Sequence, residues 1–262
     1  MKIYSTAIMA ILLVLSVTGG VYAGVVVNEQ QVIDSGDGHT TTQNVILMIQ
    51  GNKQKTQIGD NTMVLDLDKG TRTIMSSAQH AYIQMPFPPN RAPIANMNPM
   101  AFKKTGATDK VVGYSCDEYT GSATMGGNQS SLKACFSTVA PGASEFTTFN
   151  KKMADKVKGT PLAMMAGMPA GVPMRLDTTT KITHVSMPGM TPDQMAKVND
   201  MLAKRPPTVT HMTVTKIAVK DLASDTFSVP SGYTRQELGQ GAGRGAGAPP
   251  AGAATPGTKV PE

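Results

Sequence analysis

The chain has 262 residues, a formal net charge of +6 at pH 7, and an aromatic content of 5% with no tryptophan. A basic balance is typical of proteins that bind nucleic acid or anionic membranes. The low aromatic content argues against nucleic acid, and so does the export signal at the start of the chain. An anionic membrane surface stays open as a partner, as does a basic surface that contacts only solvent.

Residues 1–23 have the organisation of a secretory signal peptide. Lys2 supplies the positive charge, residues 7–17 form the apolar segment, and small residues precede a predicted cleavage site between Ala23 and Gly24. An uncleaved membrane anchor is the alternative, but the strongly apolar part is too short to span a bilayer. No cysteine stands directly after the apolar segment, so lipid attachment is not expected. The predicted location is the bacterial periplasm or the extracellular space.

The rest of the chain divides by composition into two parts. Residues 24–238 have the length and pattern of one β-rich domain. Residues 239–262 consist almost entirely of glycine, alanine and proline, with almost nothing to bury. This composition predicts a disordered tail that the fold does not need.

The first half of the domain carries hairpin signals. An apolar run at 45–49 precedes a Gly-Asn pair at 51–52, and an Asp-Lys-Gly turn at 68–70 separates two further strands. Asp66 and Asp68 are interpreted as turn residues, because a calcium loop needs more oxygen ligands than this segment offers.

The middle of the chain predicts one more hairpin. The proline-rich residues 86–100 are predicted to be neither strand nor regular helix. Strands are predicted at 111–119 and 130–137, joined by a turn at the glycine pair 126–127.

Cys116 and Cys135 are the only cysteines in the chain, and they fall on these two strands. They do not form a C-x-x-C redox motif, and two thiolates without a matched histidine cluster make a poor zinc site. In an exported protein an even cysteine count favours a disulfide. A disulfide between these neighbouring strands is therefore predicted.

Two helices are predicted. The first spans 144–157 with Ser144 as its N-cap, and its apolar residues recur at helical spacing on one face. These residues are Phe146, Phe149, Met153 and Val157. The second helix has Thr191 as its cap, Pro192 in its first turn and Gln194 completing a capping box. The lysines around the first helix leave membrane contact open as an alternative to packing on a sheet.

The order of these elements predicts a fold class. A run of antiparallel strands, a few helices between strands and further strands suit a mainly β (α+β) chain. We expect a single curved antiparallel sheet that is covered on one side by helices.

No catalytic or metal-binding constellation stands out in the sequence. Serine-hydrolase, zinc-protease and phosphate-loop motifs are missing. His184 and His211 are interpreted as structural or exposed residues and not as a metal site. The 19 methionines include loop residues that would suit copper(I), although pocket or core lining is the preferred interpretation. Neither a cofactor nor enzymatic activity is expected.

The segment FKKTGATDKVVGYSCDEY at 102–119 resembles the central signature of an exported bacterial family, domain of unknown function 4412. The preceding hairpin at 63–86 and the segment from Phe227 to Tyr233 also resemble this family. The resemblance covers most of residues 40–236 and implies a fold like that of the LolA-type periplasmic lipoprotein carriers. That fold is a single strongly curved antiparallel sheet, an open half-barrel, with a few helices covering or plugging its concave face. Such carriers hold acyl chains between a bent sheet and helices, but no cargo-handling motif can be mapped onto this chain.

The preferred functional hypothesis is an exported binding protein with an apolar cleft for lipid, lipoprotein acyl chains or another hydrophobic ligand. Its predicted ligand-binding residues are Phe146, Phe149, Met153, Met164, Met165 and Met168. The main alternative is a structural or interaction protein of the envelope whose core is filled by its own side chains. Methionine-based copper(I) binding and an unrecognised hydrolase are further alternatives, and the oligomeric state stays open.

Overall fold

A computed structural model of the protein describes residues 23–89, 98–125, 128–158, 167–185 and 189–237. The earlier strands are β1 (Gly24–Asp34), β2 (Thr40–Gln50), β3 (Lys53–Ile58), β4 (Asn61–Asp66), β5 (Thr71–Ser76) and β6 (Ala81–Pro86). The later strands are β7 (Asn98–Val111), β8 (Tyr114–Met125), β9 (Asn128–Ser137), β10 (Val172–Lys181), β11 (Thr208–Lys220) and β12 (Thr234–Arg235). The helices are α1 (Ala143–Lys156) and α2 (Pro192–Lys204). The predicted signal segment up to residue 22, the predicted tail, Met164 and Met165 lie outside the described residues.

The strands form one sheet in the order β12-β6-β5-β4-β3-β2-β1-β11-β10-β9-β8-β7. Neighbouring strands are antiparallel, except for the parallel pair of β12 and β6. β1 lies in the middle, between β2 and β11. The end strands β12 and β7 do not pair with each other, so the sheet is open.

The sheet is strongly curved around α1. Arg72 on β5 and Pro173 on β10 line one cavity of about 280 Å³, although five strands separate β5 from β10 in the sheet. In a flat sheet, six strand spacings would put these strands about 29 Å apart. A cavity of this size can touch both only if the sheet bends. The predicted fold class, an open and curved antiparallel sheet with a few helices, is confirmed.

Tight turns set the register of the early strands, as predicted. β2 and β3 are joined at residues 51–52, and β4 and β5 are joined through residues 67–70. Asp66 Oδ1 accepts hydrogen bonds from the backbone N–H groups of Asp68 and Lys69, at 3.0 and 2.9 Å. The side chain of Asp66 therefore stabilises the turn, and its interpretation as a turn residue is confirmed.

The prediction for residues 86–119 is wrong in part. β7 begins at Asn98, inside the segment predicted to contain no strand, and it ends at Val111, where a strand was expected to begin. Proline is tolerated on an edge strand because one side of the strand needs no donor, and β7 is an edge strand. Val112 and Gly113 have positive φ values of 42° and 88°, so the chain turns there before β8.

The two helix starts differ in how well they were predicted. At α2, Thr191 Oγ1 accepts from the Gln194 N–H at 3.3 Å and Gln194 Oε1 accepts from the Thr191 N–H at 2.9 Å, which confirms the capping box. At α1 the predicted Ser144 cap is wrong. Gly142 is the N-cap, in the left-handed conformation with φ of 79°, and no side chain caps the helix. Of the helices in the described ranges, none has the length and apolar character needed to cross a membrane.

The predicted disulfide is confirmed. Cys116 on β8 and Cys135 on β9 are bonded, with their Cα atoms 5.4 Å apart. Cys135 lies opposite Glu118 in the ladder, so the two cysteines are diagonal neighbours. Both are buried in the main hydrophobic cluster, together with residues of α1.

Candidate ligand-binding cleft

The apolar face of α1 packs on the concave side of the sheet. Phe146, Phe149 and Val157 are 3%, 0% and 1% exposed, whereas Met153 is only partly buried. Their sheet partners in the hydrophobic cluster include Val25, Val27, Ile49 and Leu65. The helical spacing read from the sequence therefore identifies the buried face.

The cavity of about 280 Å³ lies on one flank of this helix, against β2 to β5 and β10. Its lining is mainly apolar. The apolar lining residues are Leu47, Met63, Leu65, Phe87, Phe146, Met153, Ala154, Val157, Met168 and Pro173. Leu47, Met63, Met153 and Met168 are only partly buried, so the cavity is not sealed from solvent.

The structure brings together some of the predicted ligand-binding residues and not others. Phe146, Met153 and Met168 line the cavity. Phe149 does not line it and is fully buried in the core. Met164 and Met165 lie outside the described residues.

Helix geometry explains why Phe149 is separated from the cavity. Successive residues turn by about 100° in an α-helix. Relative to Phe146, Phe149 lies about 60° to one side, while Ala154 lies about 80° to the other side. The cavity lies on the Ala154 side of Phe146, and the filled core lies on the Phe149 side.

Three polar side chains also line the cavity, namely Gln54, Arg72 and Asn150. The Nη2 of Arg72 donates to the Met85 sulfur at 2.8 Å. The Nε of Arg72 is buried and has no hydrogen-bond partner among the described residues. A thioether is a weak acceptor, so this guanidinium is poorly satisfied.

A larger concavity of about 680 Å³ lies at the β2–β3 turn, but most of the residues that line it are polar. Asn52 and Asp68 are hydrogen bonded at 2.6 Å, and Lys152 Nζ donates to Asn52 Oδ1 at 2.6 Å. These groups satisfy one another and are exposed to solvent. The smaller apolar cavity is therefore the better candidate for a ligand site.

A charged cluster lies elsewhere, on β7 to β11. Arg175 forms ion pairs with Asp109, Glu118 and Asp177. The pKa of Asp109 is lowered, because its carboxylate accepts hydrogen bonds from the backbone N–H of Lys110, which has the larger effect, and from the side chain of Arg175. His211 Nδ1 lies 2.8 Å from Asp177 Oδ1. Arg175 thus has carboxylate partners, whereas Arg72 has none among the residues that the structure describes.

The two histidines considered as a metal pair have separate partners. His184 Nδ1 lies 3.0 Å from the Asn199 amide, whereas His211 contacts Asp177. Within the described residues, no group of three or more His, Cys, Asp or Glu side chains is placed to hold a metal ion. The structure therefore does not bring the two histidines into one site.

Sequence reasoning missed the sheet side of the cavity. Leu47, Met63 and Arg72 were not predicted as site residues, although each lies on a strand whose alternation could be read. Successive side chains along a strand point to opposite faces of the sheet, so the sequence shows which residues share a face. It does not show which of the two faces is concave. That information comes only from the curvature of the assembled sheet.

No family model matches the chain, and no curated protein matches it. Membership of the domain of unknown function 4412 family therefore stays a prediction.

Solved structures with a related arrangement include PNGF-II, at 9% identity and a TM-score of 0.38, covering 82% of this chain and 31% of that chain. This chain thus spans about a third of the length of PNGF-II. A LolA superfamily protein, NE2245 from Nitrosomonas europaea, matches at 8% identity and a TM-score of 0.31, covering 79% of this chain and 90% of that one. A putative outer membrane lipoprotein-sorting protein domain from Vibrio parahaemolyticus matches at 10% identity and a TM-score of 0.24, with the same coverages of 79% and 90%. All three TM-scores lie below 0.5, so the fold of this chain rests on its own strand order and register.

Proposed function

We propose that the protein is an exported, non-enzymatic binding protein that holds a hydrophobic ligand between α1 and the concave face of its sheet. The observation that supports this proposal is the apolar cavity beside α1. Its volume of about 280 Å³ lies just below the usual range for ligand sites, which begins at about 300 Å³. The ligand class is a lipid, an acyl chain or another apolar molecule of similar size.

The side chains around the cavity suit cargo of variable shape. Met63, Met153 and Met168 contribute three flexible thioethers to the lining. Methionine repacks easily because its side chain is unbranched and polarizable. A binding protein that must accept related chains would benefit from such a wall.

The disulfide supports an extracytoplasmic location. Cys116 and Cys135 are bonded, and disulfides persist mainly in oxidising compartments. Together with the signal-like residues 1–23, this bond supports export to the periplasm or beyond.

The experiment fills the cavity without introducing a charge. Ala154 is partly buried and lines the cavity, so Ala154→Phe should place a ring inside it. Ala203 is exposed on α2, and Ala203→Phe is the matched control. Binding is measured with a fluorescent fatty acid, and folding by the thermal transition of each variant.

We expect the wild type and the control to bind in the micromolar range, which corresponds to roughly −8 kcal/mol. Burying about ten methylene groups at ~0.8 kcal/mol each would supply this energy. Ala154→Phe should weaken binding at least tenfold while keeping the thermal transition. A wild type that binds no probe would instead support a structural protein with a self-filled core. Copper(I) binding stays an alternative, to be tested by copper(I) titration.

A further inference from the structure

We infer that the cleft takes a single-chain fatty acid and that Arg72 binds its carboxylate. This inference deepens the proposed function and rests on it. The wall of the cavity contains a guanidinium group, which a purely apolar carrier would not need.

Arg72 lies on β5 and is held by little around it. Its described hydrogen bond goes to the Met85 sulfur, and its buried Nε has no partner among the described residues. A guanidinium presents five donors and matches a carboxylate with two parallel hydrogen bonds. Burying the Nε without an acceptor is unfavourable, so an anionic group bound in the cavity would offset that cost.

The acidic residues around the cleft do not supply this partner. Asp66 accepts hydrogen bonds from its own turn, and Asp155 pairs with Lys158 at 2.7 Å. Glu29 is on the same side of the sheet but is far from Arg72. The row of residues that pair across the strands from Arg72 reaches β1 at Val25, and Glu29 lies four residues further along β1. Four residues along β1 correspond to about 13 Å.

The comparison with Arg175 shows what a structural arginine looks like in this chain. Arg175 has three carboxylates within 4 Å, from Asp109, Glu118 and Asp177. None of the ion pairs in the described ranges involves Arg72. The chain therefore neutralises one partly buried arginine with its own acids and leaves the other one facing the cavity.

Other polar groups lie near the same place. Gln54 and Arg72 flank Leu65 in one cross-strand row, so their backbones are about 10 Å apart on one face. Asn150 faces the cavity from α1. The cleft thus combines a mainly apolar wall with a few polar groups, as expected for an amphiphile with one head group.

The volume favours one chain over two. At ~30 Å³ for each water molecule, a cavity of about 280 Å³ holds roughly nine molecules of that size. A methylene group is about as large as a water molecule, so the cavity matches one chain of medium length. A diacyl phospholipid would be too large.

The test compares decanoic acid with decan-1-ol by isothermal titration calorimetry at pH 8, where the acid is ionised. The two probes share a chain and differ in the head group. They are titrated into the wild type, Arg72→Met, Arg72→Lys and the control Arg205→Met, which alters an exposed arginine. Circular dichroism checks that each variant is folded.

We expect the wild type and the control to bind decanoate at least tenfold more tightly than decanol. Arg72→Met should abolish this preference and bind decanol as tightly as the wild type does, while Arg72→Lys should retain part of the preference. Equal binding of both probes by the wild type would overturn the inference and leave the carrier proposal intact. A preference that survives in Arg72→Met would overturn the role of Arg72. Binding of neither probe would overturn the proposed function itself.

Discussion

The stability of the protein should depend on pH through one buried carboxyl group, Glu29. Glu29 is 4% exposed and lies opposite Val45 of β2 and Val214 of β11, which are buried as well. Desolvation by burial raises the pKa of Glu29 from 4.5 to about 7. Because burial disfavours the charged form, the folded protein keeps the proton at a pH where the unfolded chain has lost it.

The sign and size of the effect follow from this difference in pKa. Below pH 4.5 Glu29 is protonated in both states, and the full stability is present. As the pH rises from 4.5 to about 7, the unfolded state binds fewer protons than the folded state, so the free energy of unfolding falls. At 1.36 kcal/mol per pH unit, the total loss is about 3 kcal/mol above pH 7. Since many domains are stable by only 5–15 kcal/mol, such a loss is measurable.

Glu29→Gln removes the ionisation and keeps the size of the side chain. Urea unfolding followed by circular dichroism should show that the variant is more stable than the wild type by about 3 kcal/mol at pH 8 and by little at pH 4. Glu237→Gln, at an exposed position, is the control and should follow the wild type. Parallel pH curves for the wild type and Glu29→Gln would refute the reasoning, because they would mean that Glu29 ionises equally easily in both states.

Three further predictions concern the fold. Replacing Cys116 or Cys135 with Ser should lower the free energy of unfolding by about 3 kcal/mol in the chain-entropy model, for a sequence separation of 19; an unchanged melting temperature under oxidising conditions would contradict this. Gly142→Ala should cost at least 1–2 kcal/mol, because φ is 79° and a Cβ would collide with Val25; a variant with the urea midpoint of the wild type would contradict it. Thr191→Ala should destabilise α2 by ~1 kcal/mol, seen as faster hydrogen exchange in that helix, and exchange at the wild-type rate would exclude a stabilising cap.

The sequence predicted the features that depend on local chemistry. The hairpin turns, the capping box at Thr191 and the buried face of α1 each require only a short segment and its residue types. The disulfide was predictable because Cys116 and Cys135 are close in sequence and lie on strands that are consecutive in the chain. The prediction of Ser144 as the cap failed because α1 is capped at Gly142, where the close approach of Val25 leaves no room for a side chain. That contact joins distant parts of the chain.

The cavity depends on a property that no single segment contains. A void forms where the curvature of the sheet and the volumes of the facing side chains do not match, so it depends on the five strands and the one helix that line it. Phe149 and Phe146 show the consequence, since both belong to one apolar face and yet only Phe146 lines the cavity. Their angular difference of about 60° decides which of them faces the filled core and which faces the cleft. A ligand held in this cavity would therefore contact Phe146 and not Phe149, and a charged residue at Phe149 should unfold the protein before it reports on binding.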